Sequence, residues 1–223
     1  MITVHHLENS RSQRILWLLE ELELDYEVKR YERDPKTMLA PASLKQVHPL
    51  GKSPVITDGD VTLAESGAII EYLVDYRANG RLAPAPGTRE RVDYTYWLHY
   101  AEGSLMPLLV FKLVIGRIPT RPMPFFARPI ARRISSGLQA QFLDPRIGEN
   151  LAYLEHELSG RDWFVGDSFT AADVQLSFPL EGAAARGGLD DRYPRLSGFL
   201  QRIHERPAYQ RALERGGPYQ LLT

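Results

Sequence analysis

The chain has 223 residues, 43% of them hydrophobic, a formal net charge of −1 and no cysteine. That length holds one large domain or two small ones with a sizeable core, and the near-neutral charge gives no global pull toward nucleic acid or an acidic membrane, which favours small neutral or zwitterionic ligands. The missing cysteine excludes disulfides, thiolate metal sites and any mechanism in which the protein supplies its own thiol, so sulfur chemistry has to arrive with a ligand.

No apolar run reaches the ~18 residues that span a bilayer, and Met1 leads into ITVHHL without a basic leader, so a soluble, cytoplasmic protein is expected. Residues 2–7 (ITVHHL) predict a strand. His5 and His6 are neighbours on it and point to opposite faces, which predicts structural roles rather than shared metal ligation. The turn ENSRS follows, and then Ile15, Leu16, Leu18, Leu19 and Leu22 recur at helical spacing. A helix start gathers unpaired N–H groups and partial positive charge, so Asn9, Ser10 and Ser12 either cap the helix or serve an anion. Both readings are open at this point.

Residues 26–31 (YEVKRY) predict a second strand, and strand, helix and strand of this length form the minimal parallel crossover. Further on, VIT and VTL flank Asp58-Gly59 and predict a hairpin. A helix then begins near Glu65, with Ala68, Ile69, Tyr72 and Leu73 on one face. GRLAPAPGTRE at 80–90 interrupts the periodic patterns on both sides. Beyond it the chain predicts helices over 89–115, 125–143 and 146–158, one from Thr170, and two short ones after Pro194 and Pro207. The fold class is therefore an α/β domain over residues 1–80 followed by an all-α domain over 88–223.

Several motifs fail on their physics. GKS at 51–53 has Gln46 where a phosphate loop needs glycine, and Pro54 and VIT where it needs a helix. ESG at 65–67 lacks the flanking glycines of a nucleophile elbow. Six histidines without cysteine or HExxH form no metal constellation, so no metal is expected. Thr170, three residues ahead of Asp173, is an arrangement that nucleates a helix. The stretch 116–137 contains four prolines, five arginines and no acid, which reads as a solvated connection, or otherwise as a cover over a site or a contact for anionic ligands.

Three segments, NSRSQRILWLLEELELDYE, HPLGKSPVITDGDVTLAESGAIIEYL and GDSFTAADV, together resemble the cytosolic glutathione transferase family over essentially the whole chain. The SRS-x-R-x-LWLLEEL opening is similar to that of bacterial and fungal members. The resemblance implies a thioredoxin-like N-terminal domain that binds glutathione, an all-helical C-terminal domain that offers a pocket for a small hydrophobic electrophile, and a homodimer. It assigns Glu65 and Ser66 to the γ-glutamyl end of glutathione, Ser53-Pro54 to a cis-proline step that pairs with the cysteinyl part, and Lys52 to a position beside a ligand carboxylate. It also departs from the family pattern. Counting back from Arg14, the position often held by a catalytic serine, tyrosine or cysteine falls on Asn9, with Ser10 next. Ser10 is the expected thiolate donor and Asn9 the second; Arg11 is a further group that faces the sulfur or solvent.

A thiol of pKa about 8.5 is only a few per cent ionised at neutral pH, and lowering it by about two units takes about 2.7 kcal/mol. One hydrogen bond to a charged sulfur supplies roughly 1.5–3 kcal/mol, and a helix end about 0.3–1 kcal/mol. A single donor in the turn is enough. The leading expectation is conjugation of glutathione to an electrophile. Glutathione-dependent disulfide or peroxide reduction is the alternative within enzymes, and a non-catalytic scaffold of the same fold the alternative outside them. Tyr100, Met106 and Phe111, on YWLHYAEGSLMPLLVFKL, are the expected pocket residues, while the alternative for His99 and Glu102 is the γ-glutamyl end, in the same or the partner subunit.

Overall fold

A computed structural model describes residues 1–217 and Tyr219. The first half is β1 (Ile2–Leu7), α1 (Ser12–Glu21), β2 (Tyr26–Tyr31), the short α2 (Ala42–Lys45), β3 (Val55–Asp58), β4 (Val61–Ala64) and α3 (Ser66–Tyr72). The strands form one sheet in the order β2-β1-β3-β4. β1 runs parallel to β2, with Val4 opposite Val28, and antiparallel to β3, with Val4 opposite Ile56. The β3–β4 hairpin turns at Gly59 and Asp60, one residue later than the sequence suggests, because Asp58 pairs with Val61 inside the ladder. Gly59 supplies the φ of +62 that the tight turn requires. This is the thioredoxin-like arrangement.

The second half is helical: α4 (Arg89–Tyr100), α5 (Met106–Arg117), α6 (Arg128–Leu138), α7 (Asp144–Glu157), α8 (Ala171–Gly182), α9 (Pro194–His204) and α10 (Pro207–Gly216). α4 and α5 are one rod joined by a widened π turn over Ala101–Leu105, as the single helix expected over 89–115 implies. A second π turn, Gln139–Leu143, joins α6 to α7.

The core lies between the two halves. α1 reads as amphipathic, yet Ile15, Leu16, Trp17, Leu18 and Leu19 are all fully buried. The cause is a helix packed on the sheet from one side and on α8 and α10 from the other. Trp17 meets Phe169 and Tyr209 at ring distances of 5.6 and 5.2 Å. Charged pairs rim this seam: Arg206 grips Glu21 with Nη2 2.8 Å from Oε2, and Arg211 and Arg215 hold Glu20. The linker is tied in as well, since the Leu82 carbonyl accepts the Ala171 N–H at 2.8 Å, one of the amides that the start of α8 leaves unpaired. Asp173 in the same first turn accepts from the N–H groups of Thr170 (2.8 Å) and Phe164 (2.9 Å), a helix-nucleating role as read from the sequence. Among the described residues no helix is long and apolar enough to cross a membrane.

Candidate active site

The turn between β1 and α1 sits where the sheet, the Ser53-Pro54 step and the helical half converge. Asn9 adopts a left-handed φ of +49, which asparagine tolerates better than most side chains, and this kink lifts the chain off β1 before α1 begins. Beneath it runs a chain of hydroxyls. His6 Nδ1 lies 2.9 Å from Ser12 Oγ, Ser12 Oγ lies 2.8 Å from Ser10 Oγ, and Ser10 Oγ donates to Ser53 Oγ at 3.4 Å. The Ser12 backbone N–H donates to Ser10 Oγ at 3.3 Å, a local turn just ahead of α1, whose N-cap residue is Arg11 and carries no side-chain cap. Burial, and then the nearby Arg30 charge, push the His6 imidazole down to about 4, so at neutral pH it is uncharged. His5, on the opposite face, hydrogen-bonds Tyr31 Oη through Nδ1 at 2.9 Å. The two histidines take separate structural partners.

Three connected hollows surround the turn. A groove of about 600 Å³ is lined by Asn9, Ser10, Arg11, Lys52, Ser53 and Phe178 among others, and Arg33 and Lys45 add charge to it. A polar cleft of about 240 Å³ brings together Lys52, Ser53, Pro54, Glu65, Ser66 and Glu102. The Ser53–Pro54 peptide is cis, and Ser53 Oγ donates to the His5 carbonyl at 3.0 Å. Glu65 has a φ of +73, a conformation that costs of order 1–3 kcal/mol for a residue with a Cβ and collects at ligand sites. Ser66 opens α3 with its Oγ buried and without a hydrogen-bond partner among the described residues. A buried hydroxyl left so costs roughly 1–3 kcal/mol.

The third hollow, about 380 Å³, is mainly apolar: Met106, Leu109, Val110, Leu113 and Phe178, with Asn9 and Arg11 at its inner end and Lys112, Gln139 and Arg186 around it. Of the expected pocket residues, Met106 is in this wall. Tyr100 and Phe111 are not among the lining residues. Tyr100 packs against Trp97 and Tyr153 and donates its hydroxyl to Asn150; Phe111 is 57% exposed on the outer side of α5. His99 is exposed on α4. The 116–137 stretch meets the cavity only at Gly116, with Gln139 just beyond its other end, so the expectation of a cover is corrected: the stretch leaves the cavity rather than roofing it.

Sequence reasoning did not find what holds the inner wall. Glu102, in the π turn of the α4–α5 rod, accepts Arg11 Nε with both oxygens at 3.1 Å and also pairs with Arg14. Arg14 is buried and donates to the Gln175 carbonyl at 2.6 Å, while both guanidiniums lie over the Phe178 ring at 5.4 and 5.6 Å. Burial opposes the charge on Glu102, but Arg14 and Arg11 outweigh it and hold the carboxyl below its ordinary range. The available signal was Arg14 itself, a charge at a helix position whose neighbours Ile15 and Leu18 face inward.

The four-stranded sheet with its flanking helices and the helical half that closes an apolar cavity define a two-part protein with a thioredoxin-like N-terminal half. Residues 1–75 match the family profile described as glutathione S-transferase, N-terminal domain, and residues 129–207 the profile for the C-terminal domain. Glutathione S-transferase 3 of Schizosaccharomyces pombe is 37% identical over 96% of this chain and 88% of its own. A glutathione S-transferase structure from Actinobacillus pleuropneumoniae, also 37% identical, superposes with a TM-score of 0.80 over 100% of this chain and 96% of that one. The disulfide-bond oxidoreductase YfcG of Escherichia coli is 26% identical over 96% of this chain and 94% of its own. A sphingomonad glutathione S-transferase, solved in complex with glutathione, is 26% identical with a TM-score of 0.72 over 96% and 98% of the two chains. The chain belongs to the glutathione S-transferase family, which uses glutathione as a substrate.

Proposed function

We propose that the protein is a glutathione transferase that stabilises the glutathione thiolate for attack on a small hydrophobic electrophile. The observation that carries this reading is the adjacency of the polar cleft and the apolar cavity, which share Arg11. Glutathione lies along the cleft and groove, its γ-glutamyl carboxylate on Ser66, its ammonium on Glu65, its cysteinyl backbone beside Ser53-Pro54 and Lys52 near its other carboxylate. The electrophile occupies the cavity against Met106, Leu109 and Phe178. The sulfur then stands where groove and cavity meet, and of the two candidate donors Asn9 borders both the groove and the cavity whereas Ser10 borders the groove alone. This reverses the order expected from the sequence: the Asn9 amide donates to the sulfur, and Ser10, committed to Ser12 and Ser53, supports it. The thiol proton goes to solvent and the new S–C bond forms as the leaving group of a chloro-aromatic departs or, on an enone, as the double-bond electrons move to the carbonyl and a proton is taken from solvent; no protein thiol takes part. The protein works as a two-fold dimer in the cytoplasm, with α3 and the α4–α5 rod across the axis. Light scattering at micromolar concentration tests the dimer; a monomer refutes it.

The deciding experiment incubates the protein with glutathione and a panel of chloro-aromatic and enone electrophiles and identifies products by mass. Thioether conjugates are expected. A second reading, reduction of disulfides or peroxides by two glutathione molecules, is favoured by the likeness to YfcG together with the absence of cysteine. It yields glutathione disulfide and no conjugate. A scaffold without chemistry yields neither product and has no need of the unpaired Ser66 hydroxyl in the cleft.

A further inference from the structure

Between Gly103 and Leu143 the chain carries six cations, Lys112, Arg117, Arg121, Arg128, Arg132 and Arg133, and no acid. Lys112 pairs with Asp144, but the five arginines enter no ion pair among the described residues, in contrast to the arginines of the interdomain seam. They sit at the tip where α5 turns into α6. The same tip exposes large apolar side chains: Phe125 at 85% and Phe126 at 66%, whose rings meet edge-on at 5.7 Å. Ile130, Ile134 and Leu138 follow at intervals of four residues, an exposed apolar line down α6 that Phe126, in the turn just before it, adjoins in sequence. Ser135, on the inward face, donates to the Ile115 carbonyl at 2.8 Å, so the helix is docked and the apolar line turned away from α5 by its own packing.

A solvated connection accounts for the arginines and not for two phenylalanines projecting into water. A second copy of the chain covers apolar surface, but two-fold pairing sets like patch against like patch and brings the five unpaired arginines against five more. A nucleic acid neutralises arginine and leaves the Phe–Ile line wet. An anionic bilayer satisfies both features, because phosphate headgroups meet the guanidiniums while the apolar side chains sink below them, and a fluid surface moulds itself to a convex tip. We propose that the α5–α6 tip, from Arg117 to Leu138, is a docking surface for anionic lipid membranes. The near-neutral charge of the whole chain conceals it, since the balancing acids lie elsewhere in the molecule. Docking also brings the apolar cavity close to the lipid, because Gly116 and Gln139 of the same hairpin are in its wall.

The test uses the full chain in its native oligomeric state. Pelleting with phosphatidylcholine vesicles is compared with pelleting with vesicles containing 30% phosphatidylglycerol, at low and high salt. Binding is expected only to the anionic vesicles and is expected to weaken with salt. Arg128→Gln, Arg132→Gln and Arg133→Gln combined are expected to lower affinity about 100-fold. Phe125→Ser with Phe126→Ser also abolishes binding, and a Phe126→Trp probe shifts its emission to the blue on anionic vesicles, which surface electrostatics without insertion does not produce. Any of four results overturns the proposal: no binding to anionic vesicles at low salt, equal binding to both vesicle types, an emission of the Phe126→Trp probe that vesicles do not move, or a Phe125/Phe126 variant that dissociates into a smaller oligomer. The last assigns the apolar line to a second copy. Glutathione turnover in buffer is read in parallel and is expected to stay unchanged in both sets of variants, which shows them to be folded.

Discussion

Arginine does two different jobs at the two ends of this molecule. At the seam between the halves, Arg11 and Arg14 are held by Glu102 and stacked over Phe178, and Arg206 is held by Glu21. At the α5–α6 tip five arginines stand beside exposed phenylalanines with no carboxylate paired to them among the described residues. In the first region charge is a geometric device, because a desolvated guanidinium accepts few arrangements and so fixes the position of whatever surrounds it. In the second it is a property offered to the outside. The contrast teaches that the worth of an arginine is set by what the fold places opposite it.

That contrast breaks most visibly if the seam is not needed. Glu102→Ala leaves the Arg14 guanidinium buried with only a backbone carbonyl, and the expected loss is about 3 kcal/mol in urea unfolding, the low end for a broken buried pair because Glu102 keeps some exposure. A loss no larger than that of a typical surface substitution shows the pair to be ornamental. The seam also contains a titration. His6 falls from 6.5 to about 4 in the folded state, so its contribution to stability is complete above pH 6.5 and is lost as pH falls from 6.5 toward 4, about 3 kcal/mol in all. Asp173, raised by burial to about 6, titrates with the opposite sign in the same window, so the quantity to measure is the difference in pH slope between wild type and His6→Asn. An unchanged slope removes His6 from the account.

Smaller effects sharpen what the seam does for the site. Ser66→Ala is expected to weaken glutathione binding by roughly tenfold to a hundredfold, the worth of a hydrogen bond to a charged group, as read by calorimetry. Unchanged affinity detaches Ser66 from the ligand. Asn9→Ala is expected to raise the pKa of the bound thiol by one to two units, about 1.4–2.7 kcal/mol, in an ultraviolet titration, with a lesser shift for Ser10→Ala. The reverse order returns the leading role to the serine. At the other end of the molecule, the three-arginine substitution at the tip is expected to leave the unfolding midpoint where it is, since it removes no ion pair. A lowered midpoint means that the tip carries structural charge after all.

Much of the fold is legible residue by residue. The β1–α1–β2 crossover follows from ITVHHL, the leucine spacing and YEVKRY, and the stretch without helix or strand between Arg77 and Arg89 from prolines and glycines that neither neighbouring pattern absorbs. The hairpin is legible to within one residue, the error arising because Asp58 reads as a turn former while the ladder keeps it as a strand partner of Val61. Glu65 and Ser66 are legible as a pair at a helix start, although the left-handed backbone of Glu65 is not, since nothing in a glutamate announces a positive φ. Tyr100 and Phe111 show the limit. They lie on the rod that supplies Met106 and Leu109 to the cavity, but helix spacing says only which residues share a face, and the widened turn at Ala101–Leu105 shifts which face that is.

Local information in the chain was sufficient for everything that depends on local chemistry: the strands, the helices, the helix-nucleating Asp173, and the exclusion of protein thiols. Composition and periodicity act over a few residues, and these features are decided there. What only the tertiary structure decided is which distant groups meet. Arg14 reaches Glu102 across 88 positions, and Arg206 reaches Glu21 across 185. Asn9 borders the groove and the apolar cavity because α5 and α8 bring Met106 and Phe178 up beside it. Such contacts are set by the packing of whole helices against a sheet, where hydrophobic burial selects the arrangement and the charged groups must then find partners in it or, as at the α5–α6 tip, remain for something outside the chain.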